Sequence, residues 1–300
     1  MVSPKAKSVK KRPVRPSAKT KAEVSAVPSP SPALATTKRT ASTGVDVREL
    51  LKVGAHFGHR VSHWHPKMAP FIYTKRDGIY IIDLLKTAAQ LEQALAFVAE
   101  KVAAGKQILF VGTKRHTKEV VKEAAQAAGM PYITERWFGG TLTNYPTISK
   151  RVKYLKDMEE KFASGQLAES MSKRELQEAK DEMVKLNGMY EGLKSLTGVP
   201  GALFVADVLV ETTAIAEAKK LGVPIVAIVD TNGNPTPIDH VIPANDDGVA
   251  CVKLISNLVA QAITAARPKV KDLPEPPVAK VVQPVAKIEA KDAQSHDRSN

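Results

Sequence analysis

Short apolar runs alternate with helix-like segments from residue 108 onward, and this alternation constrains the fold more than any other feature. The runs are Ile108–Val111, Tyr132–Thr134, Ala202–Ala206, Ile225–Val229 and His240–Ile242. Helical segments lie between and after them, at 118–128, 212–221 and 246–266. Continuous apolar strands separated by helices predict a parallel sheet covered by helices on both faces.

The alternation is interrupted at 147–196. There apolar residues recur every three or four positions, first from Ile148 to Phe162 and again from Leu176 to Leu193. Ser172 and Glu175 form a capping-box pattern at the start of the second series. The period predicts two helices joined by an apolar seam, and the simplest arrangement is an antiparallel coiled-coil hairpin inserted into the α/β body.

Both ends of the chain are poor in apolar residues and rich in proline. Residues 1–44 carry ten Lys or Arg and one acid, and six prolines. Such segments do not bury enough apolar surface to offset the entropy lost on ordering, so we expect disordered tails. The predicted domains are a basic tail at 1–44, a discontinuous α/β body at 45–146 plus 197–266, the inserted hairpin at 147–196, and a proline-rich tail at 267–300.

The net charge of +13 is unevenly distributed. The tails contribute +9 and +2, and the remaining 222 residues only +2. Within the body, residues 45–150 carry +6 and residues 197–266 carry −4. This distribution favours a body that faces nucleic acid on one side only.

Several classes of protein are disfavoured by composition. Cys251 is the single cysteine, which excludes an intrachain disulfide and a cysteine-based zinc site. No uncharged apolar run approaches the roughly 18 residues of a membrane span, and the N-terminus lacks the apolar core of a secretory signal. We therefore expect a reduced, cytoplasmic setting, with no membrane.

The stretch Gly54–Met68 holds four histidines, a Trp, a Phe, an Arg and a Lys, and no carboxylate. Its composition matches neither an amphipathic helix nor a half-buried strand. Flat rings and cations beside bare glycine backbone suit RNA. Simple packing of one or two rings remains an alternative, whereas a metal site would need a carboxylate or a distant ligand.

Two more segments combine cations with glycine. Gly112-Thr113-Lys114-Arg115 follows a strand and precedes a helix, where backbone amides attract phosphate. The patterns GxxxxGK[ST] and GxGxxG are absent, which disfavours a nucleotide cofactor. Arg136-Trp137-Phe138-Gly139-Gly140 indicates either a turn packed on the body or a close approach to RNA backbone.

The candidate RNA-binding residues follow from these segments and from the basic start of the next helix. They are His56, His59, Arg60, His63, Trp64, His65, Lys67, Lys75, Arg76, Lys114, Arg115, Arg136, Gly139, Gly140, Lys150, Arg151 and Lys153.

An enzyme is the competing hypothesis. Asp207, Asp230, Asp246 and Asp247 follow strand ends, where α/β enzymes place catalytic groups, and with His240 they could hold a divalent ion or transfer protons. They could equally end strands and cap a helix. Since no nucleophile with a partnered base is identifiable, we expect no catalytic residues, no cofactor, no bound metal and no small-molecule substrate.

Taken together, these segments resemble the bacterial ribosomal protein S2 family, the second protein of the small subunit. The resemblance rests on HFGHRVSHWHPKM, RDGIYIIDLLKT, ILFVGTKRHT, RWFGGTLTNYPTI, ALFVADV and VPIVAIVDTNGNPTPIDHVIPANDD, in order over residues 45–266. It differs at Trp64-His65-Pro66, where the family commonly has Asn before Pro, and in the long basic N-terminal tail.

The resemblance implies a flavodoxin-like body with an inserted coiled coil, and a structural role without enzymatic activity. It also implies binding to small-subunit rRNA near the junction of head and body, contact with neighbouring ribosomal proteins, and help in seating ribosomal protein S1. A free RNA-binding assembly factor is the alternative; it would associate with the subunit only transiently.

Overall fold

A computed structural model describes residues 45–165 and 172–267. The disorder predicted for the tails at 1–44 and 267–300 falls, except for Arg267, on residues outside these ranges. Residues 166–171 also lie outside them.

A five-stranded parallel sheet forms the centre of the described body. Its strands are β4 (Ile108–Val111), β5 (Tyr132–Ile133), β6 (Ala202–Val205), β7 (Ile225–Val229) and β8 (His240–Pro243). They lie in the order β5-β4-β6-β7-β8, and each neighbouring pair is parallel. Counted along the chain, the five strands lie in the order 2-1-3-4-5, which is the flavodoxin-like order. The predicted α/β fold class is confirmed.

Alternate residues of the central strands enter two separate cores. Phe110 and Phe204 face α2 (Leu84–Ala103), α3 (Lys118–Ala127) and α7 (Val249–Ala266). Leu109 and Leu203 face α4 (Tyr145–Ala163) and α6 (Thr212–Leu221). Every residue of β4, β6 and β7 is buried, which explains their uninterrupted apolar sequences.

Helix α7 is long and apolar enough, by length and composition, to cross a membrane. It is instead a core helix: Val252, Ile255 and Val259 are fully buried in the cluster shared with α2 and α3. Lys253 on its outer side pairs with Glu123 of α3 at 3.3 Å. The segment therefore carries both the apolar face of a core helix and a charged face.

The start of α7 corrects the sequence-based bounds. We predicted a helix from Asp246, but α7 begins at Val249 with Gly248 as its N-cap. The side-chain oxygen of Asn245 accepts hydrogen bonds from the backbone N–H groups of Asp247 and Gly248, which holds the chain in a turn. Asp246 is thus free of a capping role, and its carboxylate points elsewhere.

The N-terminal segment adds a small antiparallel sheet. Helix α1 (Val47–Lys52) precedes β1 (Phe57–Arg60), and a 3-10 helix at Pro66–Phe71 precedes β2 (Ile72–Arg76) and β3 (Ile79–Ile82). The order is β1-β3-β2. Strands β2 and β3 form a hairpin, and Asp77 and Gly78 at its turn have φ of 51° and 76°, as a tight primed turn requires.

Strand β1 contradicts our interpretation of Gly54–Met68, in which we saw no strand. Phe57–Arg60 pairs with β3, with an irregular register between Phe57 and Arg60. An edge strand makes only one ladder, so it tolerates an exposed, mixed sequence without clean apolar alternation. Gly58 is needed within it, because a Cβ there would lie 2.5 Å from the Thr231 side chain.

Helices α4 and α5 (Lys173–Tyr190) carry the predicted seams. On α4 the buried residues are Ile148, Val152, Leu155 and Met158. The capping box of Ser172 and Glu175 is present. Glu159 of α4 accepts hydrogen bonds from Asn187 and from Lys194, at 2.9 and 2.6 Å. The bounds 147–196 and the antiparallel hairpin remain predictions.

Candidate nucleic-acid interface

The carboxyl ends of β4, β6 and β7 meet at one edge of the parallel sheet, and several predicted site residues lie there. Gly112–Arg115 follows β4, Asp207 follows β6 by two residues, and Asp230 follows β7. Gly112 lets β4 approach its neighbours, because a Cβ would lie 2.9 Å from Val121 and 3.2 Å from Ala206. The strand order therefore brings together residues that are far apart in sequence.

Lys114 lies in the middle of a carboxylate cluster, which we define as Asp207, Asp230, Asp246 and Asp247. Its ammonium is 2.9 Å from Asp207, 3.4 Å from Asp246 and 2.7 Å from Asp247. Burial disfavours the charge of Lys114, but the hydrogen bonds to Asp247 and Asp207 outweigh burial and raise its pKa. Three carboxylates thus engage the ammonium that we predicted to contact phosphate.

His59 joins β1 to the same cluster. Its Nδ1 lies 2.9 Å from Asp230 and its Nε2 lies 3.3 Å from Asp247, while its backbone N–H donates to the hydroxyl of Thr231. The hydrogen bond with Asp230, followed by the charges of Asp246 and Asp247, raises the pKa of His59 despite its partial burial. His59 therefore fastens the edge strand to the body.

The cluster carries more negative than positive charge. Asp246 is 2 % exposed, and burial, with the charges of Asp207 and Asp230, raises its pKa to about 7. His59, Asp230 and Asp246 each offer a possible metal-ligand atom, and these atoms lie within 4.8 Å of one another. The ammonium of Lys114 lies 3.4 Å from Asp246 and supplies a cation beside these atoms.

Other residues of Gly54–Met68 serve the local structure as well. His65 is the N-cap of the 3-10 helix; its Nδ1 accepts from Lys67 N–H, and its own N–H donates to the carbonyl of Thr231. Lys67 donates to the hydroxyl of Thr236 at 2.7 Å. The ring of His56 packs on Phe57, and burial lowers its pKa. Ring packing, the alternative left open from sequence, thus holds for His56.

The loop after β5 is organised by one buried carboxylate, Glu217 of α6. One of its oxygens accepts from Trp137 Nε1 and Gly140 N–H, at 3.1 and 2.7 Å. The other accepts from Leu142 N–H and from the N–H and hydroxyl of Thr143. Burial opposes the charge, but these hydrogen bonds outweigh it and lower the pKa of Glu217.

Glu217 thereby fixes the backbone that carries Arg136 and the diglycine. Trp137 is buried, whereas Arg136 and Gly139 are exposed. A Cβ at Gly139 would meet nothing within 4 Å, and Gly140 has φ of 90°. The loop is thus both a turn packed on the body and a surface that another molecule can approach closely.

The remaining predicted cations lie on the surface. Arg60 ends β1, Arg115 follows Lys114, and Lys150, Arg151 and Lys153 lie on the exposed face of α4. Lys75 and Arg76 are exposed on β2 beside the hairpin turn, where Arg76 lies 3.6 Å from Asp77. His63 and Trp64 are exposed after β1.

Sequence reasoning missed Glu217, although the signal was present. In α6 the buried positions are Ala214, Ile215, Glu217 and Ala218, so the glutamate falls on the apolar face of the helix. An acid on a buried face requires partners, because burying a carboxylate without them is costly. Its partners lie more than 70 residues away along the chain, which no local pattern reveals.

The chain is similar to known proteins over most of its length. The family model described as "Ribosomal protein S2" matches residues 50–266. A curated relative, "Small ribosomal subunit protein uS2" of Roseiflexus sp. (strain RS-1), is 48 % identical over 218 residues, which cover 73 % of this chain and 83 % of the relative. The match spans both sheets, both helices of the pair and every residue of the carboxylate cluster.

Proposed function

The chain belongs to the ribosomal protein S2 family and is a structural protein of the small ribosomal subunit, and from this premise we propose that it binds small-subunit rRNA through the carboxyl edge of its parallel sheet. The observation that carries the proposal is the separation of charge at this edge. Three of the four carboxylates of the cluster are buried, with Asp207, Asp230 and Asp246 at 3 % exposure or less. The fourth, Asp247, is exposed but lies 2.7 Å from the ammonium of Lys114, while Arg60, Arg115 and Arg136 face outward.

Exposed cations on several loops suit a phosphate backbone, because contacts to phosphate position a protein on RNA whatever the sequence. Lys150, Arg151 and Lys153 extend the basic surface along α4. In this proposal Lys114 and His59 act as positioning residues: they hold β1 and the loop after β4 in place while their neighbours contact RNA. Direct RNA contact by either remains a prediction from the sequence.

The salt dependence of rRNA affinity tests the interface. Replacing Arg115, Arg136 and Arg151 together with Ala should weaken binding and reduce the slope of log affinity against log salt by about 2, at roughly 0.7–0.9 per lost phosphate contact. The matched control replaces Lys106, Lys219 and Lys220, which are exposed at the opposite, amino-terminal edge of the sheet. If the two triple variants have equal slopes of log affinity against log salt, the carboxyl edge of the sheet is not part of the rRNA interface.

We further propose cytoplasmic residence in the ribosome, contact with neighbouring proteins near the head–body junction, and a part in seating ribosomal protein S1. Family membership supports these partners. Sedimentation of tagged protein at moderate and high salt separates the alternatives: near-stoichiometric presence in small subunits and translating ribosomes supports a resident protein, and presence only in immature particles supports an assembly factor. Small subunits without this protein should also retain less S1.

A further inference from the structure

A cavity of about 550 Å³ opens beside β1, between residues 59–64 and the loops that follow β6 and β7. Its size falls within the range of about 300–1,000 Å³ found for sites that hold small molecules. Its lining includes Arg60, His63, Trp64, Leu209 and Asn232. The cavity borders the carboxylate cluster through His59, but it opens to the outside.

Trp64 offers a flat surface to this cavity. Its ring lies 5.2 Å from the ring of Tyr80, tilted by 48°, which supports it from one side. Trp64 is still 36 % exposed. The exposed Leu209, in the loop after β6, adds apolar surface to the same cavity. A supported, partly exposed indole is the kind of platform on which an unstacked base packs.

Asn232 provides an unmet hydrogen-bonding group. Its Oδ1 is buried, and no group within residues 45–165 and 172–267 donates a hydrogen bond to it. Buried polar atoms almost always have a partner, so an orphaned amide oxygen beside a cavity points to a ligand that brings an N–H group. The edges of nucleobases carry such donors.

The charges of the cavity favour an anion. Arg60 and His63 line it, and none of its described lining residues carries a carboxylate. The carboxylates of Asp230 and Asp247 contact His59. A guanidinium can bind phosphate oxygens in a bidentate manner. The ring of Trp64 matches the face of a base, the amide of Asn232 matches the edge of that base, and the guanidinium of Arg60 matches the phosphate of the same nucleotide.

We propose that this cavity receives a single unstacked nucleotide of the small-subunit rRNA, with its base against Trp64 and Asn232 and its phosphate on Arg60. The inference rests on the proposed rRNA binding and adds to it a contact with one base in a surface that otherwise contacts phosphates. Trp64 and Asn232 are then the residues that distinguish a single-stranded nucleotide from a duplex.

The test is base-by-base chemical probing of small subunits reconstituted with the full chain. With Trp64→Ala we expect the cavity to bind the nucleotide roughly tenfold more weakly. One nucleotide should then gain reactivity while the rest of the footprint is kept. Trp64→Phe, which retains a stacking ring, should restore protection. Asn232→Ala should expose the same nucleotide. If the Trp64→Ala protein does not assemble into small subunits, the Asn232→Ala footprint tests the proposal on its own.

The outcomes separate the two proposals. A footprint that is identical for wild type, Trp64→Ala and Asn232→Ala would overturn the nucleotide cavity and leave rRNA binding intact. Exposure of different nucleotides by the two variants would also overturn it. If the wild-type protein gives no footprint, both proposals fail.

Discussion

Glu217 shows how one side chain can set the shape of a surface loop. Its two oxygens accept five hydrogen bonds from Trp137, Gly140, Leu142 and Thr143. Glu217→Gln keeps the shape but replaces one acceptor oxygen with a donor, leaving at least two N–H or O–H groups facing an NH₂. We expect a loss of about 1–3 kcal/mol in the free energy of unfolding, measured by chemical denaturation.

Glu160→Gln is the control, since Glu160 is exposed on α4 and should change stability by less than about 0.5 kcal/mol. If Glu217→Gln were as stable as this control, the carboxylate would not organise the loop. The variant should also weaken rRNA binding, because Arg136 loses its fixed backbone.

Asp246 gives the protein a dependence on pH. Its pKa in the folded state is about 7, above its ordinary value of 3.8, so folding favours the protonated form. The stability that it contributes is complete below about pH 4 and is lost as the pH rises through about 7. The raised pKa of His59 acts in the same direction, whereas the lowered pKa of Asp247 removes stability only as the solution becomes acidic.

Between pH 5 and pH 8 we therefore expect the free energy of unfolding to fall, by at most about 1.4 kcal/mol per pH unit for each proton involved. Asp246→Asn should flatten this decline, and Asp157→Asn, on the exposed face of α4, should leave it unchanged. Unfolding curves collected across this range provide the measurement. An undiminished slope in Asp246→Asn would assign the dependence to other groups.

The partners of Lys114 and His59 mark the limit of sequence reasoning at this scale. Position after a strand correctly placed Lys114 at the carboxyl edge of the sheet. Asp246 lies 132 residues away from Lys114 along the chain, so no local pattern reveals that the two side chains are in contact. The position of Lys114 beside a glycine turn suggests phosphate, and its contact with RNA remains a prediction; its three carboxylate partners could not be predicted from that position.

At the scale of elements, two glycines near the end of α5 make a matched pair. Gly192 packs against β5: a Cβ there would lie 2.1 Å from the carbonyl oxygen of Tyr132. Gly188 is helical and exposed, and a Cβ there would meet nothing within 4 Å. Gly192→Ala should destabilise the protein by about 1–3 kcal/mol through overpacking, while Gly188→Ala should stabilise it by about 0.5–1 kcal/mol.

Thermal or chemical unfolding measures the change in stability of each variant relative to the wild type, and the two changes should have opposite signs. Hydrogen exchange should show the loss in Gly192→Ala concentrated where α5 meets β5. A neutral Gly192→Ala would mean that the end of α5 is not seated on the sheet.

The elements themselves were largely predictable because their signals are local. The strands of the parallel sheet agree with the sequence to within one or two residues. Strand β1 was not predictable, since an edge strand with a glycine and a histidine lacks alternation. The start of α7 was misplaced because the Asn245 turn competes with the helix for the same backbone groups.

For the whole molecule, the arrangement of elements is less predictable than the elements. Helical and strand periods indicate a covered parallel sheet, but they do not say which strands are neighbours. The flavodoxin-like order was expected only from the resemblance to a family. The carboxylate cluster depends on that order, so its geometry could not be predicted from the residues alone.

The basic tail supplies a prediction at this scale. The composition of residues 1–44 predicts disorder, so their removal should leave the thermal midpoint of the body nearly unchanged. The same truncation removes ten cations and should lower rRNA affinity most at low salt. Calorimetry and salt-dependent binding check the two parts, and a clear drop in the midpoint would show that the tail packs on the body.

The link between His59 and the distant aspartates also bears on the order of folding. Strand β1 pairs with β3 nearby in sequence, but its anchors, Asp230 and Thr231, are made more than 170 residues later. Contacts of such long range form late, and a chain folds during synthesis from its N-terminus. We therefore expect the histidine-rich segment to emerge early and to lock into place only when the body is almost fully translated, which delays its finished shape until the chain is ready to join a subunit.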